Sequence, residues 1–151
     1  MKETKRMDTG AASVEELVQA ADNKLETGNI DEAVSLYEQA VDKAPANGRI
    51  RCKLGIAFFQ NDQLTEAEAQ FIRALLSDKT LDGANFNLAL VYQEKKEYEK
   101  ALSFYKEVLL KNGKDLPTLI RMGECAMQVG REDDAFAFWE QAVKFHPNDL
   151  E

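Results

Sequence analysis

Side chains able to do covalent chemistry are few in this sequence, and their spacing does not assemble them. His146 is the single histidine and stands beside Pro147 at the end of a helical stretch. A Ser-His-Asp or Cys-His arrangement would be confined to that frayed position. Cys52 and Cys125 lie far apart in the chain with no Cys-x-x-Cys spacing, which fits neither a metal site nor a disulfide framework. There is no glycine-rich phosphate loop, and the carboxylates are spread over helix surfaces. The expectation is a protein that is not an enzyme and carries no cofactor or metal. The chemistry that remains is recognition. Lys53, Asn87 and Arg121 are interleaved with apolar Cys52, Ile56, Phe59, Phe86 and Leu90.

What positions these residues is a repeated unit. Leu54-Gly55, Phe58, Ala67, Phe71 and Ala74 recur one interval later as Leu88-Ala89, Tyr92, Ala101, Tyr105 and Val108. At the same interval they recur again as Met122-Gly123, Ala126, Ala135, Trp139 and Ala142, and earlier as Ala20-Ala21, Lys24, Ala33, Tyr37 and Ala40. A fixed period of about 34 residues means a stacked array, because one such unit cannot bury its apolar face alone.

Each unit reads as two amphipathic helices. Val14, Leu17, Val18, Ala21 and Leu25 follow the i, i+3, i+4 spacing of one buried face. Gly28 suits a left-handed helix end and Asn29 the start of the next helix, about Ile30 to Lys43. The second unit predicts helices at about Arg49 to Asn61 and Leu64 to Ser77. In the third, the turn Lys95-Lys96-Glu97 has no glycine, and the charged run from Glu94 to Lys100 reads as a solvated turn and helix start. In the fourth, Pro117 falls in a first helical turn, Gly130 marks the internal turn and Pro147 closes the unit. Nothing favours strands, so the expected fold class is all-α. Helices this short are marginal alone in water, so their stability must come from stacking.

These motifs resemble the tetratricopeptide repeat family. Ala33…Tyr37, Ala67…Phe71, Ala101…Tyr105 and Ala135…Trp139 match its middle element, and Leu54-Gly55…Phe58 and Leu88-Ala89…Tyr92 match its start. Pro45 and Pro147 match its closing proline, which Lys79 and Gly113 replace elsewhere without expected harm. The resemblance implies a right-handed superhelical α-solenoid of four hairpins, at about 14–47, 48–81, 82–115 and 116–149, within a domain spanning 14–151. Residues 1–13 are expected to be a flexible polar tail. The small stripe Ala21, Gly55, Ala89, Gly123 and the stripe Ala33, Ala67, Ala101, Ala135 let helices approach closely. Tyr37, Phe71, Tyr105 and Trp139 are expected to fill gaps between hairpins, with Trp139 facing the preceding one.

The resemblance further implies that the first helix of each hairpin lines a concave groove for a partner's peptide or helix. On that reading Arg49, Cys52, Lys53, Ile56, Phe59, Phe86, Asn87, Leu90, Arg121 and Met127 form the groove. Lys53 and Arg121 would select a carboxylate. The carboxylate clamp found in some members needs lysine and asparagine where this chain has Cys52 and Ile56, and lysine where it has Pro117; only Asn87 and Arg121 fit. Binding of chaperone tails is therefore disfavoured. A second reading takes the aromatic last helix, with Phe136 and Phe145, as an end-on interface of a self-assembling scaffold, or as the joint to a continuing chain.

The net charge of −8 opposes nucleic-acid binding, which needs a basic surface to release phosphate counterions. No apolar run reaches the roughly 20 residues of a membrane span, and the start shows no apolar signal core. A soluble protein of a reducing, cytoplasmic compartment is expected, with protein partners.

Overall fold

The four intra-hairpin turns share one backbone solution. Each first helix ends in a residue with positive φ, at Gly28 (80°), Asp62 (58°), Lys96 (62°) and Gly130 (75°), one repeat period apart. In the first turn the Asn29 amide donates to Lys24 O at 2.9 Å and the Gly28 amide to Leu25 O at 3.1 Å. The same pair of bonds recurs at Gln63 and Asp62, Glu97 and Lys96, and Arg131 and Gly130. These bonds satisfy carbonyls that the ending helix leaves open. A left-handed backbone is comfortable for glycine and tolerable for aspartate, but crowds the Cβ of lysine. Lys96 is exposed. Lys96→Gly is therefore expected to stabilise the protein by about 0.5–1 kcal/mol, read as a higher urea midpoint at unchanged slope. A lower midpoint would show that the lysine side chain contributes something the turn geometry does not reveal.

In the computed structural model of the chain, residues 12–149 are described. Among them are eight helices and no strand: α1 (Val14–Glu26), α2 (Ile30–Lys43), α3 (Gly48–Gln60), α4 (Leu64–Ser77), α5 (Ala84–Glu94), α6 (Tyr98–Lys111), α7 (Leu116–Gln128) and α8 (Glu132–Phe145). They pair as α1–α2, α3–α4, α5–α6 and α7–α8. The expected polar tail falls mostly outside the described residues. Its last member, Ser13, belongs to the fold: Ser13 Oγ accepts the Glu16 amide and the Glu16 carboxylate accepts the Ser13 amide, both at 3.2 Å. This reciprocal box satisfies two donors at the start of α1.

The chain divides into two compact units, one ending at Asp78 and the other starting at Lys79. The first holds α1 to α4 and packs α2 against α3; the second holds α5 to α8 and packs α6 against α7. The connection at 78–83 is longer than those at 44–47 and 112–115. As a result α5 begins at Ala84, slightly past the register that α3 sets. This is where Lys79 stands in place of a closing proline.

Both small-residue stripes are buried. Ala21, Ala33, Ala67, Ala89, Ala101 and Ala135 are each 0% exposed, and Gly55 and Gly123 are buried beside them. Phe71 and Trp139 pack closely on the first helix of their own hairpin. A Cβ on Gly55 would come within 2.8 Å of the Phe71 ring, and one on Gly123 within 2.1 Å of Trp139 Nε1. Trp139 Nε1 donates to Ile120 O at 3.3 Å, still within its hairpin. The residue turned toward the preceding helix is Phe138, which lines a cavity with Leu102 and Leu109 of α6. The small residue therefore answers the aromatic it faces: glycine lies under Phe71 and Trp139, and alanine accompanies Tyr37 and Tyr105.

The charged run from Glu94 to Lys100 is more ordered than a solvated turn. Lys95 and Lys100 both pair with Glu97. Their ammonium groups lie over the Tyr92 ring at 5.8 and 5.2 Å from its centre. The hydrogen bond from Lys100 holds the Glu97 carboxyl below its usual range.

Candidate partner-binding surface

Two first-helix surfaces carry the residues singled out from sequence, one in each unit. On α3, Arg49, Cys52, Lys53, Ile56 and Phe59 share the face opposite the core, where Leu54 and Phe58 are 2% and 6% exposed. Arg49 is exposed, and the other four are half-buried. In the second unit, Phe86, Asn87 and Leu90 of α5 are half-buried, while Arg121 and Met127 of α7 are exposed. Phe86 is committed on one side, its ring set edge-on to Tyr105 with centres 5.6 Å apart. Phe136 is 56% exposed. Phe145 is half-buried, with the Lys114 and Lys144 ammonium groups 5.2 and 5.9 Å from its ring centre.

The two surfaces are organised by polar residues whose role the sequence did not reveal. In the first unit Asp22 of α1 is the hub. Lys53 Nζ donates to its two carboxylate oxygens at 2.9 and 3.0 Å, and Tyr37 Oη donates to Oδ1 at 2.5 Å. In the second unit Tyr105 Oη donates to Gln93 Oε1 at 2.8 Å, and Gln93 Nε2 donates to Glu124 Oε2 at 3.2 Å. Arg121 completes that chain with a 3.2 Å contact to Glu124. Burial pushes both phenols above their usual range, and for Tyr37 the Asp22 carboxylate adds to it. They act as neutral donors, each anchoring a second helix to a first helix.

A signal for this was present in the sequence. Tyrosine occupies the aromatic position only in the first and third hairpins. The positions that answer its hydroxyl are Asp22 in one and Gln93 in the other. In the second hairpin Phe71 has no hydroxyl to satisfy, and those register positions are Ile56 and Phe59. In each tyrosine hairpin the other of these two positions is a leucine, Leu25 or Leu90, so α3 differs in being apolar at both.

The electrostatics differ from a free cationic groove. Lys53 and Arg121, expected to select a carboxylate, each already hold one from their own unit. An incoming acid would have to displace a placed partner; of the apolar residues on these surfaces, Ile56, Phe59 and Leu90 are half-buried and Met127 is exposed. Burial raises the Cys52 thiol above its usual range, and burial aided by Glu124 raises Cys125 to about 11. Both are therefore poor nucleophiles near neutrality. Among the described residues no group of three or more His, Cys, Asp or Glu could hold a metal ion. No described helix is long and apolar enough to cross a membrane. Cavities of about 380 and 480 Å³ lie among α6, α7 and α8 and among α2, α3 and α4, and none of the expected groove residues lines either.

Comparison with known proteins agrees with this geometry. Tetratricopeptide repeat models match residues 18–82 and 83–110. Tetratricopeptide repeat protein 21A of Mus musculus is 25% identical over 134 residues, covering 89% of this chain and 10% of that protein. The chain thus spans about a tenth of that relative's length. Two crystal structures of MamA superpose with TM-scores of 0.84 and 0.85 at 20% and 21% identity. They cover 92% and 89% of this chain and 78% and 79% of those chains, a likeness of fold. The fourth hairpin lies beyond the matched residues but repeats the left-handed turn at Gly130 and the buried alanine at Ala135. Hairpins of one geometry at one period, matched by these models, make this chain a member of the tetratricopeptide repeat family.

Proposed function

We propose that the chain is a non-catalytic protein-interaction module whose first-helix surfaces hold a peptide or helix of a partner protein. The observation that carries this reading is the α3 face, where Ile56 and Phe59 both stand half-buried, whereas each tyrosine hairpin fills one of these two register positions with the polar residue that holds its hydroxyl. Apolar side chains left open beside placed polar groups are suited to an interface. Because Lys53 and Arg121 are already paired, the partner is read chiefly through apolar side chains, and its acidic residues matter less. The free thiols suit a reducing, cytoplasmic setting.

The test is a peptide array followed by titration of the best ligands. Ile56→Glu is expected to weaken binding at least about tenfold, or roughly 1.4 kcal/mol, with helicity unchanged because the side chain is half-exposed. Lys53→Ala is expected to have a smaller effect. Equal affinity of the Ile56→Glu variant and the parent would remove α3 from the binding surface.

A further inference from the structure

Within each unit the second helix of the first hairpin carries a face that the second hairpin covers. In the first unit Val34 and Val41 of α2 are 9% and 8% exposed, and Val41 shares a cavity wall with Leu54 of α3. In the second unit Leu102 is 9% exposed, and Leu102 and Leu109 of α6 line a cavity with Met122 and Ala126 of α7. Phe136 and Val143 hold the same register positions on α8, one repeat period after Leu102 and Leu109. Both are 56% exposed. The Phe136 ring is already positioned, edge-on to Trp139 with centres 6.0 Å apart. In α4 the register position of Phe136 is taken by Glu68, so the apolar choice on α8 is not imposed by the repeat itself.

A second copy of the chain could cover this face with α1 or with α8. Where α7 has Thr118, Met122, Cys125 and Ala126, all buried against their surroundings, α1 has Glu16, Ala20, Asn23 and Lys24 in register. Glu16 and Asn23 are exposed, and Lys24 is paired with Glu32 at 2.5 Å. Laying them on Phe136 and Val143 would strand polar groups against hydrocarbon. The α8 face laid on itself brings in one charged residue, Glu140, where α1 would bring in three polar ones. Phe136 and Val143 lie two helical turns apart, so an antiparallel pair of α8 helices seats each Phe136 on the second copy's Val143. The acidic first turn, Glu132, Asp133 and Asp134, then lies near the second copy's last turn with Lys144, and the helix dipoles oppose. Glu140 lies between the two apolar residues and is the one like-charged group near the axis.

We propose that α8 is the contact helix of a weak two-fold dimer with a second copy of this chain. Such a contact uses one patch twice and closes on itself, so assembly stops at two. It is not the end-on array that joining α8 to α1 would build. The patch is small beside the roughly 800 Å² per partner of a standard stable interface, so the dimer forms at high concentration.

Sedimentation analysis of the chain across about 5–500 μM covers the range expected of a weak complex. The mass is expected to rise from 17.0 kDa to twice that value and no further. Phe136→Glu and Val143→Glu are expected to hold the monomer throughout, with circular dichroism showing that each is folded. Glu140→Gln is expected to shift the midpoint to several-fold lower concentration by removing the repulsion at the axis. A strict monomer at every concentration would overturn the proposal. So would masses growing beyond two copies, or a dimer indifferent to Phe136→Glu.

Discussion

Replacing Gly123 with alanine is expected to destabilise the protein by about 2 kcal/mol or more, although alanine is the better helix former by about 1 kcal/mol. The reason is the space above the helix. The new Cβ would lie 2.1 Å from Trp139 Nε1 and 2.5 and 2.6 Å from two further ring atoms. An indole cannot bend away as the end of a flexible chain can. It must move as a body, which breaks the hydrogen bond from Nε1 to Ile120 O. Overpacking of this kind typically costs about 1–3 kcal/mol and occasionally more, enough to outweigh the helix gain. The melting temperature should fall by about 4–8 °C for a chain of this size. The chain also suggests the rescue. Two of its other hairpins combine Ala21 with Tyr37 and Ala89 with Tyr105. Adding Trp139→Tyr to Gly123→Ala should therefore recover much of the loss, giving a coupling energy above the few tenths expected of independent sites. Simple additivity would mean that the glycine serves something other than ring clearance. Gly55→Ala should show the same sign with a smaller effect, since its nearest ring atom would be at 2.8 Å.

Asp22→Ala is expected to cost about 2–3 kcal/mol, a large effect for a half-exposed surface position. Two groups lose their partner at once. Tyr37 is 1% exposed, and its hydroxyl would be left without an acceptor, which costs about 1–3 kcal/mol. Lys53 would lose an ion pair worth at most about 1 kcal/mol, because both side chains remain partly in water. Asp22→Asn keeps an acceptor for the phenol and should lose less. Pairing Asp22→Ala with Tyr37→Phe should be less damaging than the sum of the two, since neither leaves the other's group stranded. Urea unfolding of the four proteins measures this directly. An Asp22→Ala variant within about 0.5 kcal/mol of the parent would mean that water replaces the carboxylate and that the hub is incidental.

The pairing of Lys53 with Asp22 bears on recognition as well as stability. Read along the chain, Lys53 and Arg121 are unattached cations on a groove face. In three dimensions each is neutralised by an acid from its own unit, so charge is less available to a ligand than the sequence implies. What stays available is the apolar part of the same face, and for that reason binding is tested through Ile56 rather than Lys53.

The all-α class, the family and the hairpin units follow from periodicity, and periodicity is a property of the chain alone. Small residues at 21, 55, 89 and 123, alanines at 33, 67, 101 and 135, and aromatics at 37, 71, 105 and 139 are legible without coordinates. So are most helix limits, since Gly28, Pro45, Pro117 and Gly130 act on the backbone locally. Whatever depends on two helices meeting is not legible in this way. That Phe71 and Trp139 lie over Gly55 and Gly123 is one such feature, since the clearance of a ring over a glycine is defined only once the two helices of a hairpin meet. Asp22 joins Lys53 and Gln93 joins Glu124, and these partners are offset by one helical turn from the repeat period. A search at the period itself passes over such pairs. Ser13 becomes a helix cap and Lys96 a left-handed turn residue, because neighbouring backbone groups there demand a partner or a bend whatever the side chain prefers.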